Sequence, residues 1–248
     1  MYLVGASLIV SSIGCDMQAD LREWVDMPGG HTDTENMHII VQVIQGLVYL
    51  HEDAHLVHHD LKPSNILLTE KNVVKLCDFG ISATAGSKNQ FGAGTVQYMA
   101  PETLVNDNIT SEDGPSIFSN NSNKNQNNNS SSRRRSNRTG LPPRSNSTTT
   151  TRLLRSTSRS LTFPVDIYSF ACVAWEVFAQ RPIWVDMPQN EVIAVVLDGK
   201  RPDVLVARYG ASQASAELQA LIKQCWAQRP KQRPIARDVA EQLQELQA

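Results

Sequence analysis

The chain has 248 residues, 41% of them hydrophobic, which is enough to bury a sizeable core in one or two domains and argues against disorder throughout. Its formal charge of -2 averages two different materials: residues 114–165 hold nine Lys/Arg and no Asp or Glu, leaving 14 basic against 25 acidic residues, or -11, elsewhere. Four cysteines, Cys15, Cys77, Cys172 and Cys225, stand far apart without a CxxC pair, which argues against a zinc ribbon or disulfide framework and for a reducing, cytoplasmic setting.

In chain order, the opening run MYLVGASLIVSSIGC has the apolar length of a signal-peptide core, but no basic stretch precedes it and no A-x-A-like site follows, so export is not expected. No stretch reaches the roughly 18 to 20 apolar residues that span a bilayer. The apolar run 8–13, ended by Gly14, reads as a strand, and 19–26 as a short amphipathic helix. Thr32 with Glu35 has the spacing of a capping box, and Ile40, Val43, Ile44, Leu47 and Leu50 recur at helical spacing, predicting a helix over 33–51. Residues 66–68 and 73–76 read as two strands joined by Glu70, Lys71 and Asn72.

Composition changes over 106–162, where Asn, Ser, Thr and Arg dominate and large apolar residues almost vanish. Such a segment cannot bury enough surface to offset its ordering entropy and is expected to be disordered. From Val165, the residues Ile167, Phe170, Ala171, Ala174, Trp175 and Phe178 predict a helix that is apolar on more than one side, hence central. Three further helices fit 189–197, 214–226 and 235–246, the last with Pro234 near its first turn.

The chemistry-bearing residues are ordered along the chain. His58-His59-Asp60-Leu61-Lys62-Pro63-Ser64-Asn65 is followed thirteen residues after Asn65 by Asp78-Phe79-Gly80, and then by Ala100-Pro101-Glu102. This set resembles the catalytic loop, DFG and APE motifs of eukaryotic protein kinases. The resemblance covers 1–105 and 163–248. It implies a mainly α fold: a kinase-like C-lobe, a helical bundle with short β-hairpins, with a remnant N-lobe strand and hinge in 1–18, the first part of the C-lobe in 19–105, an insert in 106–162 and the second part in 163–248.

The resemblance also implies ATP and Mg2+ as cofactors and a protein substrate, with Asp60 near the substrate hydroxyl, Lys62 against the transferred phosphoryl group, and Asn65 and Asp78 as magnesium ligands. Ser12 is the expected gatekeeper, with Ile13, Gly14, Cys15 and Asp16 as the adenine-binding hinge and Leu67 and Cys77 further along the nucleotide site. Gly80 is expected to let the backbone reverse after Asp78. His58, His59 and Phe79 complete the two motifs. Asp166, opening the DIYSFACVAWE helix, is expected to brace the catalytic-loop backbone, and Arg233 to meet Glu102 in a buried ion pair. Lys62 and Thr95 are the spelling of a serine/threonine enzyme, and the WEVFAQRPIW and CWAQRPKQRP segments look most like the tyrosine-kinase-like group.

Two departures stand out. His59 occupies the place of an arginine that normally pairs with an activation-loop phosphate, so strong switching by phosphorylation at Thr84, Ser87 or Thr95 is not expected. No glycine-rich phosphate loop, strand lysine or helix-C glutamate precedes the hinge, so the chain is expected to be a truncated or fragmentary product, with little activity alone and an unpaired strand edge at 8–13. Competing readings are a pseudokinase scaffold, against which the retained Asp60, Lys62, Asn65 and Asp78 argue, and a zinc protease, because His51-Glu52-Asp53-Ala54-His55 spells HExxH. The Arg-rich insert could touch nucleic acid or an acidic surface. A solvated spacer is favoured, because the run lacks aromatic stacking platforms. Arg133 with Ser136 and Arg155 with Ser158 also suggest phosphorylation.

Overall fold

The computed structural model describes residues 2–4, 7–9, 17–86, 94–104, 162–202 and 215–247. The chain divides into two units, 1–106 with 158–248 and 107–157, and the second lies outside the described residues.

A capping box starts the longest helix, α2 (Asp33–Glu52): Thr32 Oγ1 accepts from the Glu35 amide at 3.2 Å, and Glu35 Oε2 accepts from the Thr32 amide at 2.8 Å. The reciprocal bonds satisfy two donors that a helix start otherwise leaves open. From there Ile39, Ile40, Val43, Ile44, Leu47 and Leu50 form a fully buried stripe that packs against α4 (Pro164–Ala179) and α7 (Ala236–Gln247). Every residue of α4 from Val165 onward is buried, so this helix is the centre of the core, as its apolar surround predicts. Full burial of side chains such as Phe170 and Ile167 contributes roughly 1.5 to 3 kcal/mol each. Shorter helices complete the described bundle: α1 (Leu21–Asp26), α3 (Pro101–Leu104), α5 (Gln189–Leu197) and α6 (Ala216–Cys225). The fold is the expected mainly α one.

Among the described residues the strands form two sheets. In the larger, the order is β2 (Ser7–Ile9), β1 (Tyr2–Val4), β6 (Val74–Leu76), β5 (Ile66–Thr69), β3 (Met17–Asp20), all pairs antiparallel. The β5–β6 hairpin matches the sequence reading, and its turn uses Asn72 in the left-handed region at φ 56°. The smaller sheet pairs β4 (Leu56–Val57) with β7 (Ala83–Thr84) and clasps the two ends of the segment that carries Asp60 and Asp78. Two-residue strands show no periodicity, and neither was anticipated.

Several boundaries differ from expectation. Ala19 belongs to β3, and α1 begins only at Leu21, because the Asp20 side chain caps the helix by accepting from the Glu23 amide at 2.9 Å. Of the strand expected over 8–13, the described part ends at Ile9. That part, β2, pairs with β1, which joins it to β6 through Leu3↔Leu76 and Val4↔Lys75, and β2 is an outer strand of the described sheet. Pro234 lies two residues before α7, and α6 starts at Ala216 rather than 214.

Candidate active site

The β5–β6 register pairs Ile66 with Leu76, which brings the residues flanking the hairpin, Asn65 and Cys77, side by side. The Cys77 amide donates to the Asn65 carbonyl at 3.0 Å, and the Cys77 thiol contacts the same oxygen at 3.3 Å. Asn65 and Asp78 therefore leave the hairpin at the same end. Burial, then the Asp78 charge, pushes the Cys77 thiol up to about 11, which keeps it protonated near neutrality.

Around Asp60 the side chains close a network. Lys62 Nζ donates to Asp60 Oδ2 at 2.7 Å and to Thr95 Oγ1 at 2.9 Å. Thr95 in turn donates to Asp60 Oδ1 from its hydroxyl at 3.1 Å and from its amide at 3.0 Å. Asn65 Nδ2 donates to the Asp60 carbonyl at 2.8 Å and to Oδ2 at 3.2 Å, which turns the amide oxygen of Asn65 away from these bonds. Asp60, Lys62, Asn65 and Thr95, separated by up to 35 positions, thus meet at one carboxylate.

A second layer holds the loop. Asp166 at the first turn of α4 is fully buried, and its two oxygens accept from the His58 and His59 amides at 2.8 Å each, the bracing expected of it. His51 Nε2 lies 2.9 Å from Asp166 Oδ2 and donates to it, with its ring stacked on Phe163. Burial works against the Asp166 charge, but these donors, led by His51, hold its carboxyl below the usual range. Burial also pushes the His58 imidazole down, and its Nε2 donates to the Cys77 carbonyl at 3.1 Å while its ring tilts against Phe79. His59 is buried at φ 72°, a left-handed conformation that turns the chain into Asp60.

The strained turn at Asp78-Phe79-Gly80 is the reverse of what was expected. Asp78 itself takes φ 60°, whereas Gly80 is not left-handed. What glycine supplies there is room, since a Cβ would sit 3.2 Å from Asp78 Oδ1 and the carboxylate would have to shift. Gly94, which the sequence reading did not single out, does need its conformation: at φ 114° it lies against the His59 carbonyl and Asp60 Oδ1, where a Cβ would approach to 3.3 and 3.8 Å. Its signal in sequence was its place just before Thr95.

Farther out, Arg233 forms the expected pair with Glu102, bidentate at 2.6 and 2.8 Å, and also donates to the carbonyls of Ala227 and Pro164. The arginine side chain is 0% exposed. Leu67 sits half-buried on β5. Ser12, Ile13, Gly14, Cys15 and Asp16 lie outside the described residues, as does Ser87.

The HExxH reading fails on geometry. α2 ends at Glu52, so His55, at φ 52°, is not one turn beyond His51 on a helix, and His51 is spent on Asp166. Asn65 and Asp78 supply the hard oxygen donors that magnesium takes, two protein oxygens being the complement when a nucleotide's phosphates fill further positions. When bound, that ion would neutralise phosphate charge. Among the described residues no helix is long and apolar enough to cross a membrane.

Comparison with known proteins gives the class. Residues 11–119 match the protein kinase domain family, and residues 148–243 match the protein tyrosine and serine/threonine kinase family. The chain belongs to the eukaryotic protein kinase superfamily. Among its relatives, mitogen-activated protein kinase kinase 2 of Arabidopsis thaliana is 52% identical over 71 residues, covering 27% of this chain and 19% of the relative. A light-sensor protein kinase of Ceratodon purpureus is 28% identical across 99% of this chain and 17% of its own length. The RGS domain-containing serine/threonine-protein kinase A of Dictyostelium discoideum is 25% identical across 81% of this chain and 13% of its own length. The chain thus spans a fifth or less of these relatives.

Proposed function

We propose that the lobe transfers the terminal phosphate of ATP to serine or threonine hydroxyls of protein substrates. The observation that carries this reading is the convergence of Lys62, Asn65 and Thr95 on the Asp60 carboxylate, whose side chain is 12% exposed. Donors on both oxygens fix where the carboxylate points, and a substrate hydroxyl that displaces one of them can hand it a proton. Lys62 places a cation where the transferred phosphoryl group would pass, and Asn65 with Asp78 would hold magnesium. Ser12 to Asp16, with Leu67 and Cys77, would line the adenine site. Serine/threonine selectivity follows from Lys62, two residues after Asp60, and a cytoplasmic setting from the free thiols of Cys77, Cys172 and Cys225. The test is phosphate transfer to a serine-containing peptide by the intact protein, with Asp60→Asn and Asp78→Asn beside it. Asp60→Asn is expected to lower kcat by about 10²- to 10⁴-fold, the usual weight of a positioned base. A magnesium-dependent thermal shift with ATP is expected in the wild type and not in Asp78→Asn. Full activity of Asp60→Asn would sink the assignment.

A further inference from the structure

A small cavity of about 150 Å³ lies where the end of α2, the start of α4 and the start of α7 come together. Its walls are mostly apolar. Phe163 and Ile167 form one of them, Pro234 and Ile235 another, and His51, whose ring is stacked on Phe163 at 4.5 Å between centroids, closes a third.

The polar groups that touch the cavity are already committed. His51 Nε2 is bonded to Asp166, the Arg233 guanidinium to Glu102 and two carbonyls, and Glu52 accepts from Arg237 Nε at 3.0 Å. Among the described residues, none of the buried polar side-chain atoms left without a partner belongs to this lining. No group there calls for a water, and an apolar cavity of about 150 Å³ stays dry and accepts a ring the size of benzene.

The lip of the cavity is apolar too. Ile235 is 61% exposed, more than any other large apolar side chain among the described residues, although Ala236 beside it is buried. A lone exposed isoleucine needs no explanation, but one that borders an apolar cavity extends the surface an entering ring would touch. Carboxylates gather at the mouth. Asp53 follows Glu52, and Glu241 stands one helical turn after Arg237, so three carboxylates surround one exposed guanidinium and hold it charged, Glu52 first. The excess is negative, and a partner bringing cations beside its apolar group would complement it.

We propose that this cavity is a docking site for a protein partner whose bound segment presents a phenylalanine flanked by arginine or lysine. The ring fills the cavity beside Phe163 and Ile235, and the cations meet Glu52, Asp53 and Glu241. The site shares no residue with the network around Asp60, and docking there requires no phosphate transfer.

The experiment reads, by fluorescence anisotropy on the intact protein, the binding of the labelled peptide Gly-Gly-Arg-Arg-Phe-Arg-Arg-Gly-Gly, which carries no hydroxyl side chain. Beside it are the same peptide with alanine for phenylalanine and the same with glutamate for every arginine. The phenylalanine peptide is expected to bind about tenfold or more tighter than the alanine one, the lower weight of burying that side chain, and the glutamate peptide at least as weakly as the alanine one. Ile235→Arg removes the lip and repels the peptide, and Ala236→Leu fills the cavity. Each is expected to weaken binding by about tenfold or more. Glu52→Gln with Asp53→Asn is expected to weaken it by about threefold and to flatten its dependence on salt. Equal binding of the phenylalanine and alanine peptides, tighter binding of the glutamate peptide, an unchanged salt dependence in the double variant, or a preference that survives in folded Ile235→Arg each overturns the proposal. Ile235→Arg decides alone if Ala236→Leu does not fold. Sedimentation of the free protein reads the competing occupant: a dimer that Ile235→Arg dissociates and the peptide does not displace assigns the face to a second copy and overturns the proposal as well.

Discussion

Thr95 illustrates how much one hydroxyl can do. It accepts from Lys62 and donates to Asp60, and its amide donates to the same carboxylate, so it fixes the acid and the cation relative to each other. Loss of the hydroxyl leaves the amide bond and leaves Lys62 held by Asp60 alone. Thr95→Ala is expected to lower kcat by about 10²-fold with little change in KM for the peptide, the penalty of a displacement near 1 Å, and Thr95→Ser to restore most of it. Thr95→Glu should fall at least as far as alanine, because it places a second carboxylate beside Asp60. A Thr95→Glu protein more active than wild type would make Thr95 a switch and refute the positioning role. The residue types were legible in the sequence, since motif order and spacing name Asp60, Lys62, Asn65 and Asp78. Backbone strain was not: it falls on Asp78 and His59 rather than on Gly80, because what glycine supplies there is space, which only the assembled turn reveals.

At the scale of elements, the catalytic loop hangs from α4 through Asp166. The long helices and the β5–β6 hairpin were readable, because a capping box and a periodic apolar stripe are local signals. The β4–β7 clasp and the His51–Asp166 pair were not, since the strands are two residues long and the pair is 115 positions apart. Asp166 and His58 both make the fold sensitive to acid. Each has its pKa lowered in the folded state, so each contributes stability above its ordinary value, 6.5 for His58 and 3.8 for Asp166, and loses it as pH falls through the folded value. Urea melts should therefore weaken first below 6.5 and again below 3.8. Asp166→Asn is expected to be less stable at neutral pH and to lack the second decline. An unchanged second decline would remove Asp166 as its cause. Glu102 offers a separate test, because Glu102→Ala leaves the fully buried Arg233 guanidinium with two carbonyls and the Tyr168 ring but no carboxylate bonded to it. That variant should lose about 3 to 5 kcal/mol in denaturant titration, with a loss under about 1 kcal/mol showing that the pair does not support the fold.

For the whole molecule, the basic stretch is set between α3 and α4, the two helices that carry Glu102 and Asp166. Its composition predicts a spacer that closes a loop without adding to the core. Replacing 107–157, a unit of its own by contacts, with about eight Gly/Ser residues should then leave the Glu102–Arg233 pair intact and raise stability by roughly 1 to 2 kcal/mol, the loop-closure entropy recovered. A loss of stability on excision would show instead that the segment packs on the lobe.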